Sequence, residues 1–160
     1  MKAIAIQRYG GPEEITLADM PEPSPGPGEV LVDVKAAALN HLDIWVRMGR
    51  PGDAIKMPHI LGSDLAGVVL EVGPGVETLG AGDKVILNPG LSCGRCEWCN
   101  RGEHSECPRF GIFGLARSGT YAERVVAPVG NLQPMPAHLS FAEAAALPLA
   151  HLTAWRMLVS

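Results

Sequence analysis

The sequence contains no apolar run long enough to form a transmembrane helix, and it contains no cluster of lysine and arginine. The first absence argues against a membrane-spanning protein. The second, together with a net charge of −4, argues against nucleic acid or an anionic membrane surface as a partner. The first six residues lead directly into Gln7 and Arg8, so the apolar core of a secretory signal is missing as well. These absences predict a cytoplasmic protein whose 160 residues form one domain with a real core.

The glycine spacing of a dinucleotide-binding loop, G-x-G-x-x-G, is also absent. A glycine-rich stretch at residues 73–82 does follow an apolar segment, Leu65–Val72. It leads, however, straight into a second apolar segment, Lys84–Leu87, with no helix-length pattern between them. We therefore interpret this stretch as the connection of a β-hairpin and not as a nucleotide site.

Cysteine is scarce, and its four copies lie in one 15-residue window with the spacing C-x2-C-x2-C-x7-C. The residues are Cys93, Cys96, Cys99 and Cys107. This spacing lets four sulfurs converge on one metal, so we expect a zinc lobe at about residues 90–108 with one structural zinc per chain. Four thiolates leave no open coordination position, and this metal is therefore expected to stabilise and not to catalyse. Two disulfides are the alternative, although nothing else in the sequence indicates secretion.

Glycine and proline, with 19 and 14 copies, are spread along the chain, which predicts many short strands joined by turns. Apolar patterns predict strands at Lys2–Gln7, Ile15–Ala18, Glu29–Ala38, Leu65–Val72, Lys84–Leu87 and Thr120–Ala127. Helices are predicted from Asn40 to Gly49, from a capping box at residues 140–143, and, after an interruption at Pro148, over His151–Val159. The predicted fold class is mainly β with a few helices, arranged as a partly open β-barrel.

Several segments also occur in an order that is typical of one protein family. They are residues 25–32, 39–43, 61–67 and 82–85, then the cysteine window, then residues 119–123. Together they resemble the medium-chain dehydrogenase/reductase superfamily, in its branch of zinc-binding quinone oxidoreductase-like proteins. The resemblance implies a GroES-like catalytic domain over residues 1–160, normally followed by a Rossmann domain that binds NAD(P) and is absent here. Residues 148–160 look like the lead-in to that domain, so the 160-residue chain alone is expected to be inactive.

Zinc-dependent alcohol dehydrogenases of this superfamily hold a second, catalytic zinc with a Cys, a His and a further Cys or acid. By motif position, these ligands fall on Asn40, Ser63 and Leu149. Zinc prefers thiolate, imidazole or carboxylate, so an amide, a hydroxyl and an alkyl group are unsuitable ligands. The resemblance therefore implies a site without a catalytic metal, in which Asn40 and Ser63 are the catalytic residues. Ser63 also lies in a glycine-rich turn, where hydrogen bonding alone is the alternative role.

The resemblance assigns further residues around that site. His41 falls where relatives place a residue near the cofactor pyrophosphate, and Thr153 falls where they place one beside the nicotinamide. Asp43 and Asp64 are expected to line the substrate pocket. Simpler interpretations remain open: Asn40 as a helix cap, Asp43 as a partner of the helix dipole, His41 as a solvated side chain and Asp64 as a turn residue. The histidines without motif support are expected on the surface: His59, His104 and His138.

The expected chemistry follows from the loss of the Lewis acid. Hydride transfer that involves a simple alcohol must stabilise an alkoxide, whereas hydride added to a quinone or an activated alkene gives a delocalised anion that hydrogen-bond donors can stabilise. We expect the full-length protein to be an NAD(P)H-dependent oxidoreductase of such small molecules and to form a homo-oligomer. Two alternatives are open: a zinc-dependent alcohol dehydrogenase with His41, Asp43 and Asp64 as ligands, and a non-enzymatic, zinc-stabilised interaction module.

Overall fold

The computed structural model describes residues 1–49 and 55–159, which form ten β-strands and four α-helices. The strands are β1 (Lys2–Ile6), β2 (Ile15–Asp19), β3 (Glu29–Ala38), β4 (His59–Ile60), β5 (Asp64–Val72), β6 (Lys84–Leu87), β7 (Gly90–Leu91), β8 (Gly111–Ile112), β9 (Arg124–Pro128) and β10 (Leu132–Pro134). The helices are α1 (His41–Met48), α2 (Glu97–Asn100), α3 (Phe141–Ala145) and α4 (Pro148–Val159).

Antiparallel pairing arranges the strands in three sheets. The largest has the order β10-β6-β5-β3-β9, a second has the order β2-β1-β4, and β7 pairs with β8. The two larger sheets meet where Ala3 of β1 forms a bridge with Ala122, just before β9. Helix α3 packs Ala144 and Ala145 against Ala66 of β5. This architecture confirms the predicted fold class, which is mainly β with a few helices and of the partly open barrel type.

Strand β3 lies inside the largest sheet, between the central strand β5 and the edge strand β9. Its alternating pattern buries Val30 and Val32 completely, while Asp33 stays half-buried. Leu65 and Phe113 pack in the same core. Full burial of one such side chain contributes roughly 1.5–3 kcal/mol to the free energy of folding. The core therefore holds β3 firmly in place, and the chain passes from its end directly into the start of α1.

The glycine-rich stretch at residues 73–82 connects two paired strands, as predicted. Strand β5 pairs antiparallel with β6, with Ala66 opposite Ile86. The predicted pairing of the first two strands is also confirmed, with Ile4 of β1 opposite Leu17 of β2. Both hairpins follow from strand segments with a short polar or glycine-rich connection between them.

Two elements begin elsewhere than predicted. Helix α4 starts at Pro148 and not at His151, because the fixed φ and the missing N–H of proline suit the first turn of a helix. Strand β9 starts at Arg124 and not at Thr120. The backbone N–H of Thr120 instead donates to the carbonyl of Gly62, and that of Tyr121 donates to the carbonyl of Leu61. Residues 119–121 therefore line the loop before β5.

Helix α4 is exposed from Ala150 to Val159. Its exposed apolar side chains include Leu152, Trp155 and Leu158. Ser160, with which the predicted lead-in ends, lies outside the described residues. Within the described ranges, no helix has both the length and the apolar character that a bilayer crossing would need.

His59 is buried, with 4% of its surface exposed, so its predicted surface position is wrong. It lies in β4 opposite Ile6 of β1, and the pairing of the two strands encloses the ring. Its Nε2 donates to the carbonyl of Gly114 at 2.8 Å. Burial lowers the pKa of His59 from its usual value of 6.5. His104 and His138 are exposed, as expected.

We predict that His59 makes the fold sensitive to acid. A histidine whose pKa is lowered by folding contributes stability above its unfolded pKa, and this contribution is lost as the pH falls below 6.5 and through the lower folded pKa. A His59→Gln variant keeps a side-chain N–H for Gly114 and cannot titrate. Between about pH 7.5 and about pH 5, its melting temperature should fall less than that of the wild type.

The exposed His138 provides the control for this experiment. His138→Gln should show the pH dependence of the wild type, because the His138 side chain is exposed in the folded chain as it is in the unfolded chain. Equal pH dependence of wild type and His59→Gln would contradict the assignment of a buried, neutral imidazole.

Candidate metal centre and active site

The four cysteines lie in a lobe between β7 and β8. The two strands pair Gly90 with Ile112 and Leu91 with Gly111, which closes the base of the lobe. Cys96 precedes α2, Cys99 lies within it, and Cys107 follows a short 3₁₀ turn. Local hydrogen bonds therefore place the ligands, in agreement with their short spacing in the sequence.

The four sulfur atoms lie within 4.8 Å of one another. The Sγ atoms of Cys96 and Cys99 are 3.5 Å apart, and those of Cys93 and Cys99 are 3.9 Å apart. Zinc–sulfur bonds of about 2.3 Å imply tetrahedron edges of about 3.8 Å, so a zinc ion fits among these sulfurs. All four cysteines are free, since such separations are far longer than a disulfide bond of about 2.05 Å.

Hydrogen-bond donors surround two of the sulfurs, those of Cys93 and Cys107. The Sγ of Cys107 accepts hydrogen bonds from the backbone N–H groups of Cys93 and Arg109, both at 3.4 Å. The backbone N–H of Arg95 and the Arg109 side chain lower the pKa of the Cys93 thiol to about 5. Zinc requires deprotonated cysteine, and these donors stabilise that form. The lobe is thus a structural zinc site with four protein ligands, as predicted.

The second group of polar residues is centred on Asp43, in the first turn of α1. Its Oδ2 accepts from the backbone N–H of Asn40 at 2.8 Å and from the hydroxyl of Tyr121 at 2.6 Å. Its Oδ1 accepts from the backbone N–H of Gly62 at 3.2 Å. The Asp43 carboxylate therefore ties the start of α1 to the loop before β5 and to Tyr121. Burial, followed by the bond to Asp43, raises the pKa of Tyr121, which keeps its hydroxyl protonated.

Asp64 is almost fully buried, with 1% of its surface exposed. Its Oδ2 accepts from Nδ2 of Asn40 at 2.9 Å, and its Oδ1 accepts from the backbone N–H of Leu149 at 2.9 Å. Burial raises the pKa of Asp64, and the two hydrogen bonds oppose that shift. One carboxylate thus joins the end of β3 to the first turn of α4.

Gly62 allows the turn that places Ser63 and Asp64 inside. Its φ is +94°, a conformation that other residues rarely adopt. A Cβ atom at this position would lie 2.4 Å from the Tyr121 ring and 2.6 Å from the Thr120 hydroxyl. Only glycine fits this close approach, and the next two side chains then point into the protein.

Ser63 is fully buried, and its hydroxyl donates to the carbonyl of Phe113 at 2.8 Å. The hydroxyl proton is therefore used in a hydrogen bond to the backbone, which agrees with the alternative role of Ser63 as a hydrogen-bonding residue of this turn. Ser63 lies one residue from Asp64 but is not among the residues that line the cavities described next.

Two cavities border residues that are hydrogen-bonded to Asp64, although Asp64 itself lines neither of them. The first, of about 700 Å³, is lined by Asn40, His41 and Asp43, together with apolar side chains that include Ile4, Ile44 and Leu61. His41 is exposed there, and its ring meets that of Trp45 edge-on at 4.8 Å. The polar residues of this cavity include three of those predicted for the site.

The second cavity, of about 410 Å³, lies between α4 and the zinc lobe. Leu149 and Thr153 line it from the helix, and His104 and Phe110 line it from the lobe. Thr153 is therefore in a different cavity from His41. The hydrogen bonds of Asp64 join one residue of each cavity, Asn40 and Leu149.

Within residues 1–49 and 55–159, the cysteine group is the one place where three or more metal-binding side chains converge. The alternative ligand set of His41, Asp43 and Asp64 forms no such group in these ranges. Both carboxylates instead accept hydrogen bonds from backbone and side-chain donors.

Sequence reasoning missed two members of the network. Tyr121 lies in the family-like segment at residues 119–123, so its motif was a usable signal. The backbone N–H of Leu149 carries no signal in the sequence at all, because a main-chain donor is the same for every residue type except proline.

Comparison with known proteins identifies relatives of the whole chain. Residues 26–137 match a family model described as the alcohol dehydrogenase GroES-like domain. An L-threonine 3-dehydrogenase of Pyrococcus horikoshii is 36% identical over 139 residues, which cover 84% of this chain and 39% of that protein. A solved NAD-dependent alcohol dehydrogenase has a TM-score of 0.95 at 56% identity, covering 99% of this chain and 46% of its own. A quinone oxidoreductase from Coxiella burnetii has a TM-score of 0.77 at 32% identity, with 99% and 44% covered. This chain spans less than half the length of these relatives.

Proposed function

Since this chain belongs to the family of alcohol dehydrogenase GroES-like domains, within the medium-chain dehydrogenase/reductase superfamily, we propose that it is the catalytic domain of an NAD(P)H-dependent oxidoreductase. The substrate is a quinone or an activated alkene, and the reaction proceeds without a catalytic metal. The whole protein acts on small molecules in the cytoplasm as a homo-oligomer. A domain of nucleotide-binding type, continuous with α4, completes it.

The proposal is carried by the motif resemblance, which assigns to Asn40, Ser63 and Leu149 the positions where relatives hold a catalytic zinc. The hydrogen bonds of Asp64 support this placement, because the carboxylate next to Ser63 contacts both Asn40 and Leu149. Asp64 thus brings Asn40 and the backbone of Leu149 to one carboxylate, which supports the proposal. An amide, an occupied hydroxyl and an alkyl group do not supply the thiolate or imidazole that zinc prefers.

Asn40 is the donor that we assign to the reacting oxygen. When bound, the nicotinamide supplies a hydride, and the substrate gains two electrons and a negative charge on oxygen. The Nδ2 group of Asn40 makes one firm bond to Asp64 at 2.9 Å and one long bond to the carbonyl of Ala38 at 3.4 Å. The hydrogen of the long bond is the one available to a substrate oxygen, because that bond is the weaker of the two. A proton from solvent then completes the reduced product.

His41 and Thr153 are assigned to the cofactor. His41 is exposed at the rim of the first cavity, where its imidazole is free to meet a phosphate group. Thr153 lies one turn along α4 from Leu149, on the wall of the second cavity. Asp43 and Asp64 support the pocket through hydrogen bonds. Ser63 supports the neighbouring turn through its hydrogen bond to the carbonyl of Phe113.

Alcohol oxidation is the second candidate, because a solved NAD-dependent alcohol dehydrogenase shares 56% identity with this chain. In that case a metal would have to bind at residues that are hydrogen-bonded to protein groups in this structure. Metal content separates the two candidates directly.

We expect one zinc per full-length chain, and we expect that zinc to belong to the cysteine lobe. Purified protein should contain one equivalent of zinc by elemental analysis. NADPH-dependent quinone reduction should survive a chelator that leaves this zinc in place, and ethanol oxidation should be negligible. A second equivalent of zinc that rises and falls with alcohol oxidation would establish the alcohol dehydrogenase instead.

A further inference from the structure

Asp64 differs from the other carboxylates of the described chain in its burial, since it alone among them is buried. It is 1% exposed, and both of its oxygens accept hydrogen bonds at 2.9 Å. One donor is the Asn40 side chain at the end of β3, and the other is the backbone N–H of Leu149 in the first turn of α4. The carboxylate therefore connects Asn40, which lines the first cavity, to the helix that lines the second.

The orientation of the Asn40 amide follows from this contact. Its Nδ2 faces Oδ2 of Asp64 and, more distantly, the carbonyl of Ala38. Both are acceptors, so a flipped amide would place its own oxygen against them. An ionised carboxylate has no hydrogen to offer, and it therefore permits one orientation of Asn40. A neutral amide at position 64, with its oxygen held by the Leu149 N–H, would present its NH2 group to Asn40 and favour the opposite orientation.

The N-terminal turn of α4 supports the ionised form. The backbone N–H groups in the first turn of a helix have no partner within the helix, and the helix dipole is positive there. The N–H of Leu149 is one of these groups, and Asp64 satisfies it. A buried carboxylate is costly unless it has such partners. The ionised carboxylate of Asp64 is stable in its buried position only when both the helix and Asn40 donate to it.

We propose that Asp64 is a positioning residue, which fixes the orientation of the Asn40 amide and holds Asn40 at a set distance from the first turn of α4. The proposal rests on the proposed function, because it assigns to Asn40 the role of donor to the reacting oxygen. It adds that the donor hydrogen is aimed at the substrate by Asp64. The helix that carries Leu149 and Thr153 is placed by the same carboxylate.

The first test replaces Asp64 with asparagine in the full-length protein. The oxygen of the introduced amide accepts from the Leu149 N–H, and its NH2 group then faces the NH2 group of Asn40. The Asn40 amide must turn over, so its N–H groups leave the pocket. We expect kcat for quinone reduction to fall on the order of 10²-fold, as for other small misplacements of a catalytic group, with a smaller change in KM for the quinone.

An exchange of the two residues separates the effect on stability, which needs the hydrogen bond between them, from the effect on turnover, which needs a donor at position 40. In the variant Asn40→Asp with Asp64→Asn, the new NH2 group donates to the new carboxylate, and the Leu149 N–H keeps its acceptor. The melting temperature should return close to the wild-type value. Turnover should stay low, because a carboxylate at position 40 has no hydrogen for the substrate. Recovery of both properties would show that turnover needs no hydrogen-bond donor at position 40, and the proposal that Asp64 positions this donor would be overturned.

Asp83 provides the matched control. Its carboxylate is exposed, accepts the backbone N–H of Gly80 and lines neither cavity. Asp83→Asn should leave kcat and KM unchanged. If Asp64→Asn does not fold, the exchange variant alone decides the question, since stable protein with wild-type turnover would again overturn the proposal.

A spectroscopic measurement keeps this proposal separate from the proposed function. The side-chain amide signals of Asn40 can be assigned in a spectrum of 15N-asparagine-labelled protein by their loss in Asn40→Ala. They should shift in Asp64→Asn and stay unchanged in Asp83→Asn. If the wild type reduces no quinone, the proposed function fails, while these signals still report whether Asp64 orients Asn40. Unchanged Asn40 signals in Asp64→Asn would overturn the positioning role.

Discussion

Replacing Asn40 with alanine in the full-length protein is expected to lower kcat for quinone reduction roughly 10²–10³-fold. The variant loses the one side-chain donor that we assign to the reacting oxygen. It leaves Asp64 with a single hydrogen bond, from Leu149. The backbone N–H of Asn40 still donates to Asp43, so α1 should still form. Steady-state kinetics with a quinone and NADPH measure the effect.

The control is Asn100→Ala, in which an exposed asparagine at the end of α2 is removed. Its turnover should equal that of the wild type. The melting temperature of Asn40→Ala should also be measured, because a variant that has lost only a helix cap is destabilised by about 1 kcal/mol and stays active. Wild-type turnover in Asn40→Ala would show that Asn40 acts only as the N-cap of α1. The assignment of the pocket residues would then be wrong.

Replacing Cys96 with serine is expected to reduce the zinc content from one equivalent to nearly none. A hydroxyl is a poor substitute for one of four thiolates, and the affinity of such sites depends on all four. The segment between β7 and β8 should then unfold, because the metal that would link its four sulfurs is lost. The large sheet should survive, since its core residues come from β3, β5, β6 and β9.

Elemental analysis and limited proteolysis measure the outcome of this substitution. New cleavage should occur within residues 93–107, while the remainder resists digestion. Glu97→Gln, a change at an exposed neighbouring position, should keep its zinc and its resistance. Retention of zinc by Cys96→Ser, or collapse of the whole domain, would contradict the view of the lobe as a separate metal-stabilised unit.

The zinc lobe could be predicted from the sequence because its ligands are neighbours along the chain. When four cysteines lie within 15 residues, short turns alone bring the sulfurs together. The start of α1 at Asn40 and the strand at Glu29–Ala38 were predictable for the same reason, since capping and alternation are local patterns.

The Asp64 network was not predictable in this way. Asn40 and Leu149 are 24 and 85 residues away from Asp64, and neither hydrogen bond leaves a pattern in the sequence. The same holds for Ser63, whose hydroxyl partner is a backbone carbonyl 50 residues away. Motif position placed these residues near one another, but only the tertiary fold decides which polar group meets which.

His59 shows the limit of arguments from residue type. A histidine without a motif is most often solvated, yet His59 is buried in a strand that pairs with β1, and its ring is bonded to the carbonyl of Gly114. The strand that carries it, β4, has only two residues, which is too short for a periodic pattern. Burial at such positions depends on long-range pairing.

The pairing of β7 with β8 has a consequence for the order of folding. All the contacts that define the metal lobe are closed within a short stretch of chain, whereas β3 must wait for β9, which is synthesised far later. Closing a short loop costs little entropy, and local contacts form fast. A nascent chain can therefore capture its metal before its largest sheet is complete. Zinc supply during translation would then limit how much of this protein matures, even where the finished protein holds its metal tightly.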